Sequence, residues 1–234
     1  MKGRIARLLR ERADPARAEI SRGFFKTGPG EYAEGDEFIG VALPDLRRIC
    51  RECRDATVDE VSSLLQSPVH EARLLALLLM VDAFGRADEA GRRDVYQRYL
   101  SSTAFINNWD LVDSSAPAIV GGWLAERSRA PLVRLARSSS LWERRIAIVA
   151  TQHFIRNGEV DETYKISDLL MRDEHDLIHK ATGWMLRETF KRAPDALRAY
   201  LRSRCKSMPR TMLRYAIERL PEPERRAYLS GTIE

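Results

Sequence analysis

Similar stretches recur along this chain at a nearly constant interval, and that interval constrains the fold more than any other feature. "HEARLLALLLMVDAF" from His70, "INNWDLVDSSAPAIV" from Ile106, "WERRIAIVATQHFIR" from Trp142 and "LIHKATGWMLRETF" from Leu177 start 36, 36 and 35 residues apart, and "MLRYAIERL" from Met212 follows 35 later. Within the copies, apolar residues return at three and four, as in Leu74, Leu77, Leu78 and Val81, or Ile146, Val149, Ala150 and Phe154. That is the period of an amphipathic helix. A unit of this length holds two helices, and it buries its apolar face only against its neighbours. The expected fold is all-α: a curved solenoid of HEAT-like helical-pair repeats with a period of about 35–36 residues, forming a single domain over residues 1–234.

Local signals agree with helices throughout. Asp14-Pro15, Leu43-Pro44, Ser67-Pro68, Ala193-Pro194, Met208-Pro209 and Leu220-Pro221 mark helix boundaries. Thr57 to Glu60, "TVDE", has the spacing of a capping box. No alternating strand stands out. The one irregular stretch is "KTGPGEYAEGDEFIG", Lys26 to Gly40, which is rich in glycine and long enough to be a functional loop. "GGWL" inside a helix suggests close helix packing, and Trp123 and Trp142 are expected in the core.

Several function classes are set aside. The longest apolar run, Leu74 to Val81, is far too short to span a bilayer, so no membrane partner is expected. The N-terminus carries charges throughout and lacks the apolar core of a secretory signal. Three cysteines, Cys50, Cys53 and Cys205, cannot all pair, which points to a reducing, cytoplasmic setting. "CREC" has no second cysteine pair and no nearby histidine, and His175 and His179 lack the glutamate of an H-E-x-x-H site; no metal is expected. The glycine-rich loop has no Walker lysine, so no nucleotide or other cofactor is expected.

The charge balance is modestly basic, +5 with a pI near 9.3. Its distribution says more. Arg187, Lys191, Arg192, Arg198, Arg202, Arg204, Lys206, Arg210, Arg214 and Arg219 face only Glu188, Asp195 and Glu218 over the same stretch. A polyanionic partner and a merely solvated helix surface both fit. The repeat frame sharpens the question. Its fourth position reads Arg73, Trp109, Arg145, Lys180 and Tyr215, and one helical turn later Leu77, Asp113, Val149, Trp184 and Arg219. A row of cations and aromatics suits a phosphate backbone and its sugars. The alternative is that each arginine snorkels and each tryptophan packs in the core.

"FFKTGPGEYAEGDEFIGV", "SPVHEARLLAL", "NNWDLVDSSA", "SLWERRIAIV", "HDLIHKATGWMLRE" and "MPRTMLRYAIE" occur in that order over nearly the whole chain. With these six motifs the chain resembles the AlkD-type alkylpurine DNA glycosylases, a HEAT-like repeat family of DNA alkylation repair. The resemblance implies base excision of cationic N3- and N7-alkylated purines from double-stranded DNA by cutting the base–sugar bond, without drawing the base into a pocket. It places the family's catalytic aspartate on Asp113 and its sugar-contacting tryptophans on Trp109 and Trp184. Arg145, Lys180 and Arg187, with Phe24 and Lys26 near the glycine-rich loop, fall on the DNA-contacting side. The chain departs from some members at Asn108, where they carry a second tryptophan, and at Phe24, where they carry a tyrosine. A monomer is expected. Two other readings stay open: a non-catalytic HEAT-like binder of damaged or branched DNA, and a protein–protein scaffold.

The chemistry suits these residue types. An alkylated N3 or N7 makes the purine cationic and already a good leaving group, so no general acid is needed. Ordinary glycosidases need two carboxylates; here one suffices, to stabilise the positive sugar and orient water. Asp110 lies three residues before Asp113. It either shares a proton with Asp113 or makes a hydrogen bond that fixes the helix or a nearby loop.

Overall fold

The computed structural model describes residues 3–233. Among these residues the protein is helical, without a strand; one isolated parallel bridge joins Glu37 to Val69. Its internal contacts divide the chain into two compact units, residues 1–115 and 116–234.

The first unit holds α1 (Arg4–Glu11), α2 (Pro15–Phe24), α3 (Leu43–Glu52), α4 (Val58–Leu65), α5 (His70–Arg86) and α6 (Glu89–Ser101), and it closes on α7 (Trp109–Ala116). The second holds the short α8 (Gly122–Leu124), then α9 (Ala130–Ala136), α10 (Leu141–Ala150), α11 (Gln152–Arg156), α12 (Asp161–Leu169), α13 (Asp176–Thr189), α14 (Pro194–Arg204), α15 (Arg210–Ala216) and α16 (Glu222–Ser230). The five recurring segments carry, in order, α5, α7, α10 with α11, α13 and α15. Within the units, α4 packs on α5, α9 on α10 and α12 on α13.

Local chemistry sets the boundaries. Asp14 caps α2 by accepting from the amides of Ala16 and Arg17 at 3.0 and 3.2 Å, with Pro15 in the first turn. The Thr57–Glu60 capping box is formed reciprocally at α4. Each of the six marked prolines lies at or beside a helix start. Pro117 behaves differently. It has no N–H for the usual i→i−4 bond, and residues Pro117–Gly121 wind as a π turn.

Apolar stripes close each core. In the first unit Leu75, Leu77, Ile106 and Leu111 are fully covered; each such side chain contributes roughly 2 kcal/mol by leaving water. In the second, Leu186, Leu197, Leu201, Met212, Leu213 and Ile217 form a continuous cluster. Here α13 approaches α15 so closely that a Cβ on Gly183 would lie 2.4 Å from the Met212 carbonyl oxygen. The same holds at Gly121 in "GGWL", where a Cβ would meet the Ala150 carbonyl at 2.5 Å. Trp123 and Trp142 differ from expectation, being only half-buried. The guanidinium of Arg127 sits 3.8 Å over the Trp123 ring, a cation–π contact.

Among the described residues no helix is long and apolar enough to cross a membrane. Cys50, Cys53 and Cys205 are unpaired thiols, all buried. Burial pushes the Cys50 and Cys53 thiols up, away from the reactive thiolate form.

Candidate functional site

The segment leading into α7 is anchored from one side. Ile106, Asn108, Leu111 and Val112 are fully buried. Trp109 and Asp113, four residues apart, therefore share the other face of one helical turn, and both are half-buried. Beneath them lies the buried phenol of Tyr99, whose oxygen is 3.0 Å from Ser115 Oγ. Burial, with the Asp113 carboxylate nearby, holds that phenol well above its ordinary range and keeps it neutral, against the opposing effect of the Ser115 hydrogen bond.

An aromatic group fixes the indole. Phe25 stacks on Trp109 with centroids 5.2 Å apart and planes 19° apart, and Phe24 meets the same indole edge-on at 5.8 Å. Phe25 also stacks on Phe38 at 5.1 Å. Phe24 remains 62% exposed, an apolar ring displayed to solvent beside a half-buried indole. Next to it, Lys26 adopts a positive φ of 60° and is exposed. These rings are brought together by the folded glycine-rich loop. Gly40, at φ 80°, passes so close to the start of α2 that a Cβ would lie 2.0 Å from the Asp14 carbonyl oxygen. The Glu71 carboxylate accepts from the Ile39 and Gly40 amides, and the bridge to Val69 holds the rest.

Under the aromatic group lies a buried ionic chain. His70 sits between two carboxylates, with Nε2 2.8 Å from Asp110 Oδ2 and Nδ1 3.2 Å from Asp36 Oδ2. Arg73 Nη2 lies 2.7 Å from the other oxygen of Asp36, and its Nη1 donates to the Ser67 and Pro68 carbonyls. Burial by itself would depress His70, but the hydrogen bonds to Asp110 and Asp36 outweigh it and raise the ring to about 9. Asp36 is held below its ordinary value for the converse reason: burial pushes it up, and the His70 hydrogen bond and the Arg73 charge more than compensate. Asp110 thus makes the hydrogen bond that ties the start of α7 to neighbouring structure.

Sequence patterning missed this chain. His70 marks only the start of a repeat in the sequence, and its two partners lie 34 and 40 residues away. Arg73 also corrects the expected row of surface cations. It is buried, because the glycine-rich loop folds over it and supplies Asp36.

In the second unit, α13 carries three of the expected residues. Trp184 is half-buried; Lys180 pairs with Asp176 at 2.7 Å; Arg187 pairs with Glu218 at 2.6 Å. Arg145, on α10, is only 5% exposed and donates to the Leu177 carbonyl at 2.9 Å, tying α10 to the first turn of α13. Arg145 thus neither lines a surface row nor snorkels: its guanidinium is buried and donates to a backbone acceptor.

Chemically, a carboxylate one turn from an indole face favours positive charge developing between them. The carboxylate acts by direct attraction and the ring by its negative face. Among the described residues no group of acids, histidines and cysteines could hold a metal ion.

Comparison with known proteins gives two findings. A family model described as "DNA alkylation repair enzyme" matches residues 5–220. A solved structure described as a predicted DNA alkylation repair enzyme from Enterococcus faecalis has a similar fold. The TM-score is 0.68 at 17% identity, covering 90% of this chain and 98% of that one. No curated protein matches.

Proposed function

Given that this chain belongs to the DNA alkylation repair enzyme family, we propose that it is a DNA N-glycosylase, releasing cationic N3- and N7-alkylated purines from double-stranded DNA. It acts in this reading as a monomeric HEAT-like domain, without metal or cofactor, and without extruding the base into a pocket. The observation that carries the reading is the pair Trp109 and Asp113, set one turn apart on one face of α7.

The bond from C1′ to the purine nitrogen breaks with both electrons going to the base, which leaves neutral. The positive charge passes to the deoxyribose. Asp113 stabilises that charge and orients a water, whose oxygen bonds C1′ and whose proton is released. At about 4 Å and an effective dielectric near 20, one such ion pair is worth roughly 4 kcal/mol before screening, about three decades in rate. The Trp109 face lies against the sugar. In the second unit Trp184 is the other proposed sugar contact, Lys180 and Arg187 would meet phosphates, and Arg145 supports them by holding the start of α13. Phe24 and Lys26 would reach DNA beside Trp109.

The test is single-turnover release from a duplex carrying one N7-methylguanine, against the same duplex with guanine. Release of the methylated base alone supports the reading. DNA binding that weakens steeply with salt, but without release, would assign the chain instead to non-catalytic binding of damaged DNA.

A further inference from the structure

Resting on the glycosylase reading, we propose that His70 is a positioning residue for Trp109: protonated on both ring nitrogens, it clamps the glycine-rich loop to the first turn of α7 and sets the plane of the indole.

Two independent connections run from His70 to Trp109. The first is ionic. His70 Nε2 lies 2.8 Å from a carboxylate oxygen of Asp110, the residue after Trp109, and Nδ1 lies 3.2 Å from one of Asp36 in the loop. The second is aromatic. The imidazole lies 4.9 Å from the Phe25 ring and stacks on Phe38 at 4.6 Å, and Phe25 in turn stacks on Trp109. The side chains are enclosed: His70 is 2% exposed and Asp36 4%.

The geometry requires the protonated ring. A neutral imidazole has one N–H and one lone pair. Between two carboxylates it can bond one, and its lone pair then faces the other. Either Asp36 or Asp110 must be released, so the loop or the helix start loses its tie. The charged groups facing the ring are Asp36 from the loop, Asp110 from α7 and Arg73 from its own helix. Glu71, its neighbour in sequence, is committed to the Ile39 and Gly40 amides. Two carboxylates and two cations balance, so the cluster tolerates burial only while His70 carries its proton. The ring's preference for the charged form up to about 9 agrees.

The test has two arms on the full-length protein. The first incorporates 5-fluorotryptophan and follows the 19F resonance of residue 109, assigned by its loss in Trp109→Phe, from pH 7 to 10. The expected result is a shift with a midpoint near 9, absent in His70→Gln. A Trp109 resonance that does not move in the wild type overturns the proposal, whether or not the variant folds. The second arm is single-turnover base release over the same range, corrected for uncatalysed loss. Wild type should lose about ten- to a hundredfold above pH 9, as expected for a misplaced reacting group, with His70→Gln already reduced at pH 7 and flat thereafter. His70→Gln with the wild-type rate and profile, or slower but with the same alkaline limb, contradicts it. Absence of release from any form would strike the glycosylase reading alone, and the resonance arm would still decide the role of His70.

Discussion

Phe25 lies nearly parallel to the indole of Trp109, with centroids 5.2 Å apart and planes 19° apart. One face of the indole is thereby committed to protein and the ring is held flat. In the proposed role of Trp109 as a sugar contact, such preorganisation holds the ring in place for the substrate. Phe25→Ala removes the backing ring and leaves the helix intact. Base release should fall about tenfold or more through loss of orientation, with DNA affinity changed far less. Single-turnover rates beside binding isotherms separate the two.

The buried cluster also makes a prediction about stability. The His70 pKa is raised on folding, so its contribution is fully present below the unfolded value near 6.5 and is lost as pH rises toward about 9. The full effect is on the order of 3 kcal/mol. Urea unfolding should show the wild type weakening between pH 6.5 and 9, with His70→Gln less stable at pH 6.5 and nearly pH-independent across that window. The Asp36 contribution has the opposite sign. Its pKa is lowered, so its share is present above the ordinary carboxylate value near 3.8 and disappears in acid below it.

Gly183 marks a close approach of α13 to α15. Gly183→Val forces a side chain into the Met212 carbonyl and Tyr215 Cβ. The helices must separate, at a cost of about 1–3 kcal/mol typical of overpacking. Because Trp184 is the next residue, activity should fall along with the melting temperature. Thermal denaturation and base release on the same samples check both.

Lys26 is exposed beside Phe24, at the entrance to the glycine-rich loop. If it meets a phosphate, Lys26→Gln should weaken binding to methylated and unmodified duplex alike. The slope of log affinity against log salt should also fall by about one. Binding titrations from low to moderate salt provide the measurement.

The helical class was legible because its signals are local. Proline, capping residues and three-four spacing act within one or two turns, and the boundaries at Asp14, Thr57, Ala193 and Pro209 follow them. Trp109 and Asp113 were legible for the same reason, since a separation of four on a helix fixes a shared face. The rest depends on tertiary contact. Nothing within a helical turn of His70 shows that Asp36 and Asp110 will enclose it. Periodicity marks Arg73 and Arg145 as equivalent positions, yet a covering loop buries the first and a backbone carbonyl of α13 engages the second. Pro117 has the same character, a helix-breaking residue absorbed by a π turn inside a continuous helical stretch.

The most direct measurement compares wild type with Asp113→Asn for release of N7-methylguanine from duplex DNA, with circular dichroism confirming that both are folded. The isosteric amide keeps the shape of the side chain and removes its charge. The account predicts release by the wild type and a loss approaching a thousandfold in the variant, the worth of one carboxylate facing a cationic sugar. Equal release from both proteins would contradict it.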